Sequence, residues 1–338
     1  MSTKRFLTVA LLLMAPLTAG GQSGGTGPGV PRTPWGDPNL QGVWDYWTFT
    51  PLERPKEFAA KAVLTEQEAV QYAERLRDLA IGSDATRPRS GDPGAYSQET
   101  WTDRTRARAL TQTSIIVDPP DGKLPPMTEE AKRRAAAHDA GGGRPVRKRS
   151  DGIGLAGPED RGLSERCILG FSTGPPMLPG GYNNNIQVFQ SPTHVAILLE
   201  MNHDVRIVPL DGRRHLPAHV RQWMGDSRGR WEGDTLVVET TNFTDKTASF
   251  SGRVGATGFE LGSAEHLRLI ERFTRTSAGA LMYEFTVDDP STFTKPFTGR
   301  LPMSANEGKV YEYACHEGNY GLLNILAGAR AAERKAPK

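Results

Sequence analysis

The stretch GDSRGRWEGDTLVVETTNF, residues 225–243, has the pattern of a β-hairpin. Gly233-Asp234 is a dipeptide of the type that forms the tight turns between paired strands. Leu236, Val238 and the β-branched residues around them are typical of a pleated, half-buried strand. The stretch therefore predicts two antiparallel strands joined by a short turn.

The same period-two pattern continues on both sides of this hairpin. The candidate strands are residues 186–190, 194–200, 205–209, 228–232, 235–241, 267–274, 280–287, 297–303 and 310–315. Their connections are too short for the crossovers that parallel strands need. We therefore expect a mainly β fold with helical additions, an antiparallel up-and-down barrel of the lipocalin or calycin kind over residues 182–332. A sandwich of two sheets is the alternative, and residues 321–332 are predicted to form a closing helix.

Residues 34–181 read as loops and helices that wrap around this barrel. Thr65 and Glu68 form a capping box, which predicts a helix over residues 66–81. Thr128 is predicted to begin a second helix, and residues 114–117 resemble a short strand that ends in a turn. These elements do not make an obvious core of their own, so we expect them to pack on the β-rich part.

The N-terminus has the pattern of a secretory signal peptide. Lys4 and Arg5 precede an apolar run, residues 6–15, which is about half the roughly 20 residues that a membrane-spanning helix needs. We expect residues 1–21 to be cleaved, residues 22–33 to form a flexible lead-out, and no membrane span to remain. The predicted location is the periplasm or the outside of the cell.

Two cysteines, Cys167 and Cys315, lie in the predicted exported chain. Disulfides persist in oxidising compartments, so we predict that these two residues are paired. Two buried thiols are the alternative.

Charge and motif content limit the classes of partner. The chain has 41 basic and 39 acidic residues, a formal charge of +2, which gives no general attraction to nucleic acid. His215 and His219 have the spacing of two metal ligands on a helix, but Pro217 lies between them and no zincin-type glutamate follows. We expect no nucleic-acid partner, no metal and no cofactor.

Clustered polar residues provide the candidate catalytic groups. His203-Asp204 lies in a predicted hairpin turn, and a histidine beside a carboxylate is a candidate oriented general base. His316-Glu317 follows the last predicted strand, so the two pairs share one rim of the barrel if the strand directions agree. The alternatives are ordinary turn hydrogen bonds for Asp204 and a structural role for His316.

A second set of residues is predicted to contact a ligand. Its members are polar or aromatic side chains at strand ends or on strands: Asn184, Arg206, Trp223, Arg272 and Tyr313. An inward guanidinium would meet an anionic group, whereas an outward one would be solvated. On the strand over 267–274, we interpret Leu269 and Phe273 as the apolar face and Arg268, Glu271 and Arg272 as the polar positions.

Several long motifs resemble those of a large group of exported, uncharacterised bacterial proteins. They are PWGDPNLQGVW (34–44), SERC (164–167), GPPMLPGGYNNN (174–185), the hairpin stretch (225–243) and YEYACHEGNYG (311–321). This resemblance covers most of the mature chain and implies export, but no particular activity. Separately, Gly42-Val43-Trp44 is similar to the Gly-x-Trp that opens the first strand of lipocalins.

Three classes of function follow from these patterns. The first is a binding protein that holds a small, mainly apolar molecule in the barrel. The second is a periplasmic hydrolase or lyase that uses the His, Asp and Glu residues at a barrel mouth. The third is a solid-cored barrel that works through its surface in an envelope complex. The sequence does not indicate an oligomeric state.

Overall fold

The computed structural model describes residues 30–85, 102–133, 157–163, 165–170, 173–174, 176–244, 248–251, 260–262 and 265–335. The predicted signal peptide and residues 22–29 of the predicted lead-out lie outside these ranges. So does the predicted second helix beyond residue 133.

Strands dominate the described residues. In chain order they are β1 (Gly42–Asp45), β2 (Ile116–Asp118), β3 (Asn185–Gln190), β4 (His194–Leu199), β5 (Val205–Pro209), β6 (Asp226–Glu232), β7 (Thr235–Thr241), β8 (Ala248–Ser251), β9 (Glu260–Gly262), β10 (Arg268–Ser277), β11 (Ala280–Asp288) and β12 (Phe297–Asn306). Strands β8 and β9 pair only with each other, and the remaining ten form one sheet.

The large sheet is antiparallel throughout. Nine strands follow the order β5-β4-β3-β1-β12-β11-β10-β7-β6, and β2 pairs with β12 beside this path. In the hairpin of β6 and β7, Trp231 pairs with Leu236 and Glu232 with Thr235, and Gly233 takes the left-handed conformation that the turn needs (φ 59°). The predicted mainly β, antiparallel architecture is therefore confirmed.

The sheet is not closed, because no backbone ladder joins its edge strands β5 and β6. The nine strands of this path are joined by eight antiparallel pairings. Because eight reversals restore the starting direction, the edge strands β5 and β6 run in the same direction. They meet through side chains: Arg206 Nη2 lies 3.5 Å from Ser227 Oγ. A Cβ on Gly229 would lie only 2.7 Å from side-chain carbons of Val208 and Leu210, so β6 needs glycine at this contact.

The inner face of the sheet packs as one continuous core. On β11 the inward residues alternate with outward ones, and Leu281, Tyr283, Phe285 and Val287 are all fully buried. Large side chains from the other strands fill the space between them; examples are Trp44, Ile197, Leu236, Phe273, Phe297 and Met303. The interior is therefore occupied by side chains, with the packing expected of a protein core.

Strand β1 lies in the middle of the sheet, between β3 and β12, although it is far upstream in sequence. Trp44 on this strand is 1% exposed, and its indole Nε1 donates a hydrogen bond to Leu40 O (2.9 Å). Strands β1 and β2 come from the region that we interpreted as a wrap, residues 34–181. They have only four and three residues, which is too short for a period-two pattern to be visible.

The described residues include two long helices. Helix α1 (Glu66–Ala85) begins with the predicted capping box: Thr65 Oγ1 accepts a hydrogen bond from Glu68 N (3.2 Å), and Glu68 Oε2 accepts one from Thr65 N (2.8 Å). Residues 129–133 are also helical, and Thr128 Oγ1 accepts a hydrogen bond from Ala131 N (3.1 Å) as an N-cap does. Helix α2 (Tyr320–Lys335) corresponds to the predicted closing helix.

The predicted strand over residues 310–315 is wrong. Strand β12 extends to Asn306, and residues 307–319 form loops and turns on the surface. The apolar residues Val310 and Tyr311 made this segment resemble a strand, but no neighbouring strand is available to pair with it in the described residues. None of the described helices has the length and apolar character needed to cross a membrane.

Candidate functional site

A disulfide bond fixes the chain just before α2. Cys167 and Cys315 are bonded with a Cα–Cα distance of 5.7 Å, which confirms the predicted pairing. Asn319 adds to this anchor, because its Nδ2 donates a hydrogen bond to Glu165 O (3.0 Å). The start of α2 is therefore held against the segment 165–170.

An open groove of about 410 Å³ lies between this anchor and α2. Leu322 and Ile325 of α2 provide most of its apolar lining, which we call the apolar wall. Polar side chains in the lining belong to Glu165, Glu317 and Asn319. The groove therefore offers an apolar wall and hydrogen-bonding groups to the same bound molecule.

The turn between β4 and β5 contacts a segment that lines this groove. Asn202 and His203 in this turn both adopt the left-handed conformation (φ 61° and 59°), which costs a non-glycine residue roughly 1–2 kcal/mol. His203 Nδ1 accepts a hydrogen bond from the backbone N–H of Tyr313 (3.2 Å), and Tyr313 lines the groove. The predicted site residues His203, Tyr313 and Glu317 are thus brought to one region.

This hydrogen bond limits the chemistry of His203. Because Nδ1 accepts a hydrogen bond from Tyr313 N–H, the neutral ring carries its own proton on Nε2. In that form Nε2 is a hydrogen-bond donor and not a base. No hydrogen bond joins His203 to the Asp204 carboxylate in the described part of the chain, so the pair does not have the geometry of an oriented general base.

Asp204 is instead a half-buried carboxyl group. Its Oδ2 has no hydrogen-bond partner among the described residues, and Asn202 Nδ2 in the same turn is also buried without one. Burial raises the pKa of Asp204 from 3.8 to about 6. The charged form of this side chain is therefore unfavourable in the folded protein.

Replacing Asp204 by asparagine is expected to stabilise the protein near neutral pH. A carboxyl group whose folded pKa is raised contributes stability that is fully present below its unfolded pKa, 3.8, and is lost as the pH rises through about 6. Asp204→Asn should therefore raise the unfolding temperature at about pH 7.5 and have little effect at about pH 4. Thermal unfolding at both pH values measures this, with the exposed Asp234→Asn as control. An equal gain at both pH values would contradict the assignment.

The other predicted site residues lie elsewhere or have structural partners. His316 is exposed, and its carbonyl accepts a hydrogen bond from Asn319 N (3.2 Å). Asn184 is fully buried; its Oδ1 accepts from Gly180 N and its Nδ2 donates to Asp103 Oδ2, both at 2.6 Å. Trp223 is half-buried in the connection before β6. Arg272 points outward and donates to Glu232 Oε2 (2.8 Å).

Arg206 points into the core, where it forms a buried ion pair with Glu271. Nη1 donates to Glu271 Oε1 (3.1 Å), and the Tyr283 hydroxyl donates to the same oxygen (2.8 Å). Burial alone would lower the pKa of Arg206, but the charge and hydrogen bond of Glu271 outweigh burial and raise it. Burial, followed by the charge of Glu271, raises the pKa of Tyr283 well above 10. The guanidinium of Arg206 is therefore paired with a carboxylate of the protein itself and not with an anionic group of a ligand.

Glu271 and Tyr283 were not among the predicted site residues. We interpreted Glu271 as a polar-face residue together with Arg268 and Arg272, but it lies on the inner face with Leu269 and Phe273. The signal was present in the sequence, because Glu271 is two residues from each of these core residues and side chains on a strand alternate between faces. We assigned Glu271 to the polar face because it is charged.

The two histidines with metal-ligand spacing have separate environments. His215 Nδ1 lies 3.0 Å from Asp226 Oδ2, and His219 is exposed. Within the described ranges, no group of three or more His, Cys, Asp or Glu side chains is arranged to hold a metal ion.

Comparison with known proteins adds no relative. A scan against models of protein families finds no match, and a search of curated proteins finds no similar sequence. Function is therefore inferred from the groove itself.

Proposed function

We propose that the protein is an exported binding protein that takes a small, mainly apolar molecule in the groove beside α2. The observation that carries this proposal is that Leu322 and Ile325 line the same open groove of about 410 Å³ as Glu317 and Asn319. Small-molecule sites commonly have a volume of this order and combine apolar walls with a few polar groups.

The groove is favoured over the inside of the sheet as the binding place. The inward side chains of the sheet pack against one another, with Trp44, Tyr283 and Phe285 all fully buried. We propose that the sheet acts as a barrel-like scaffold whose edges are held together by side chains of β5 and β6. In this proposal the packed core positions the β4–β5 turn. His203 of this turn then holds Tyr313 through a hydrogen bond to its backbone N–H.

Export is part of the same proposal. The disulfide supports it, because such bonds persist in oxidising compartments such as the periplasm and the extracellular space. The resemblance of the long motifs to those of exported bacterial proteins is a further argument for this proposal. The proposed ligand is therefore a molecule met in the cell envelope or outside the cell.

Binding of a neutral apolar dye tests the proposed groove. N-phenyl-1-naphthylamine should give a saturable rise in fluorescence with the wild-type protein. Leu322→Arg places a charge on the apolar wall and should weaken this binding about tenfold or more, a change of about 1.4 kcal/mol. Near-ultraviolet circular dichroism would confirm that the variant is folded.

Leu79→Arg is the matched control, because Leu79 is an exposed leucine on the other long helix, α1 (62% exposed). It should leave the dye affinity within about twofold, or about 0.4 kcal/mol. Equal weakening by both variants, or no saturable binding by the wild type, would overturn the proposed site.

A further inference from the structure

The formal charges in the lining of the groove are all negative. Among the described residues that line it, the charged ones are Glu165 and Glu317, and none is Lys, Arg or His. The same groove has the apolar wall of Leu322 and Ile325. A molecule that fills the groove therefore meets apolar carbon and negative charge together. This combination suits an ammonium group that is attached to an apolar body.

The two carboxylates differ in their partners. Glu165 Oε1 accepts a hydrogen bond from Arg161 Nη2 (2.8 Å), and its Oε2 accepts one from Gly162 N (3.0 Å). The charge of Glu165 is therefore balanced within the protein. Glu317 is exposed and has no hydrogen-bond or ion-pair partner in the described part of the chain. The negative charge that a ligand meets in the groove is that of Glu317.

Two uncharged groups in the lining also favour a cation. Asn319 Nδ2 donates hydrogen bonds to Glu165 O (3.0 Å) and Cys167 Sγ (3.5 Å), which leaves the acceptor Oδ1 without a partner among the described residues. This oxygen lies near the lining residue Gly321, where a Cβ would be 3.7 Å from it. Tyr313 adds an aromatic ring, and the face of such a ring attracts a quaternary ammonium group.

We propose that the groove binds cationic amphiphiles, which are molecules with an ammonium group joined to an apolar chain or ring. This inference rests on the proposed binding function and narrows its ligand to one class. The ammonium group interacts with Glu317 and Tyr313, while the apolar part packs on Leu322 and Ile325. Because Glu317 is exposed, its ion pair with a ligand contributes up to about fivefold in affinity, and salt reduces this contribution.

An anionic ligand fits the groove less well. The start of a helix attracts anions through its unpaired N–H groups and its dipole. Glu317 lies three residues before Tyr320, the first residue of α2, so its carboxylate opposes an anion at this place. The described lining contains no basic side chain that would compensate for this repulsion.

Displacement of N-phenyl-1-naphthylamine by three compounds with the same decyl chain tests the proposed ligand class. They are decyltrimethylammonium, decyl sulfate, and decyldimethylamine oxide, which resembles the ammonium compound in shape but has no net charge near neutral pH. All three are used below the concentrations at which they form micelles. At low ionic strength the wild type should bind the ammonium compound about tenfold more tightly than the amine oxide, and decyl sulfate most weakly. Added salt should reduce this preference.

Two variants assign the preference to its groups. Glu317→Gln should lower the preference for the ammonium compound over the amine oxide from about tenfold to about twofold, because it removes the charge and keeps the size. Tyr313→Leu should lower it about threefold, because the ring is lost and an apolar side chain remains. Glu66→Gln is the control: it removes an equal charge from an exposed glutamate in the first turn of α1, outside the groove lining, and should not change the preference.

The possible failures can be told apart. Equal binding of the three decyl compounds, or tighter binding of decyl sulfate, would overturn the cationic class while the groove stays a binding site. An equal loss of preference in Glu66→Gln would also overturn it, because the effect would then come from the net charge of the protein. No saturable binding of the dye itself would instead overturn the proposed function, and this inference with it.

Discussion

Replacing Glu271 by glutamine is expected to lower the free energy of unfolding by roughly 3–5 kcal/mol, since it leaves the buried Arg206 guanidinium without its counter-charge. Arg206 and Glu271 have side chains that are 3% and 0% exposed, so water cannot replace the lost carboxylate. Glutamine keeps the size of the side chain, so the loss is due to charge. Equilibrium unfolding in urea measures it.

Two further variants separate charge burial from a general effect of mutation. Arg272 is adjacent in sequence, but its side chain lies on the outer face of the sheet, with an exposed ion pair to Glu232 (40% exposed on each side chain). Arg272→Gln should cost no more than about 1 kcal/mol. The double variant Arg206→Met, Glu271→Leu should lose less stability than Glu271→Gln, because no unpaired charge remains. Equal losses at positions 271 and 272 would contradict the buried-pair explanation.

Removal of the disulfide has the second largest expected effect. The cysteines are 148 residues apart, and closing a loop of this size is worth about 5 kcal/mol in the chain-entropy account, although measured values are usually about 2–4 kcal/mol. The double variant Cys167→Ser, Cys315→Ser should therefore lose about 2–4 kcal/mol of stability. Chemical denaturation under oxidising conditions measures this loss.

Reduction of the wild-type protein provides the control for this variant. A reducing agent should lower the stability of the wild type to that of the double variant and should not change the variant itself. Residues 307–319 and the start of α2 should also become more sensitive to protease, because the disulfide and Asn319 anchor them. A stability unchanged by reduction would show that the bond does not constrain the unfolded chain.

Much of the fold could be predicted because its strands are long enough to show alternation. Strands β5 and β7 have the predicted bounds, β11 and β12 end one and three residues beyond theirs, and β10 begins one residue later and ends three residues later than predicted. The turn at Gly233-Asp234 fixed the register of its hairpin through local backbone geometry. Local rules also predicted the capping box at Thr65 and the N-cap at Thr128.

Features that depend on distant partners could not be predicted in this way. Strand β1 is defined by β3 and β12 on its two sides, which are far away in the chain. The segment 310–315 has apolar residues but no partner strand among the described residues, so it does not form the predicted strand. Antiparallel closure of the sheet requires an even number of strands on the path. A single short strand such as β1 changes that number.

His203, Tyr313 and Glu317 were chosen from their polar chemistry. Tyr313 and Glu317 line the groove and His203 contacts Tyr313, while their role in binding stays a prediction. Leu322 and Ile325, which make the apolar wall, look like ordinary residues of an amphipathic helix. Only the position of α2 beside the disulfide distinguishes them, and this position is a tertiary property.

The equal direction of β5 and β6 has a topological consequence for the connection between them. Since β5 ends at one end of the sheet and β6 starts at the other, residues 210–225 must travel the full length of both strands in the opposite direction. It does so beside β6 and not between the two edge strands: Arg228 Nε donates a hydrogen bond to Arg214 O (3.1 Å), and His215 Nδ1 lies 3.0 Å from Asp226 Oδ2. Pro217 lacks the N–H that a ladder needs, and Gly212 and Gly225 have left-handed backbones (φ 73° and 71°). The connection thus returns the chain to the starting end of the sheet without forming a strand of its own, and the two edge strands contact each other directly.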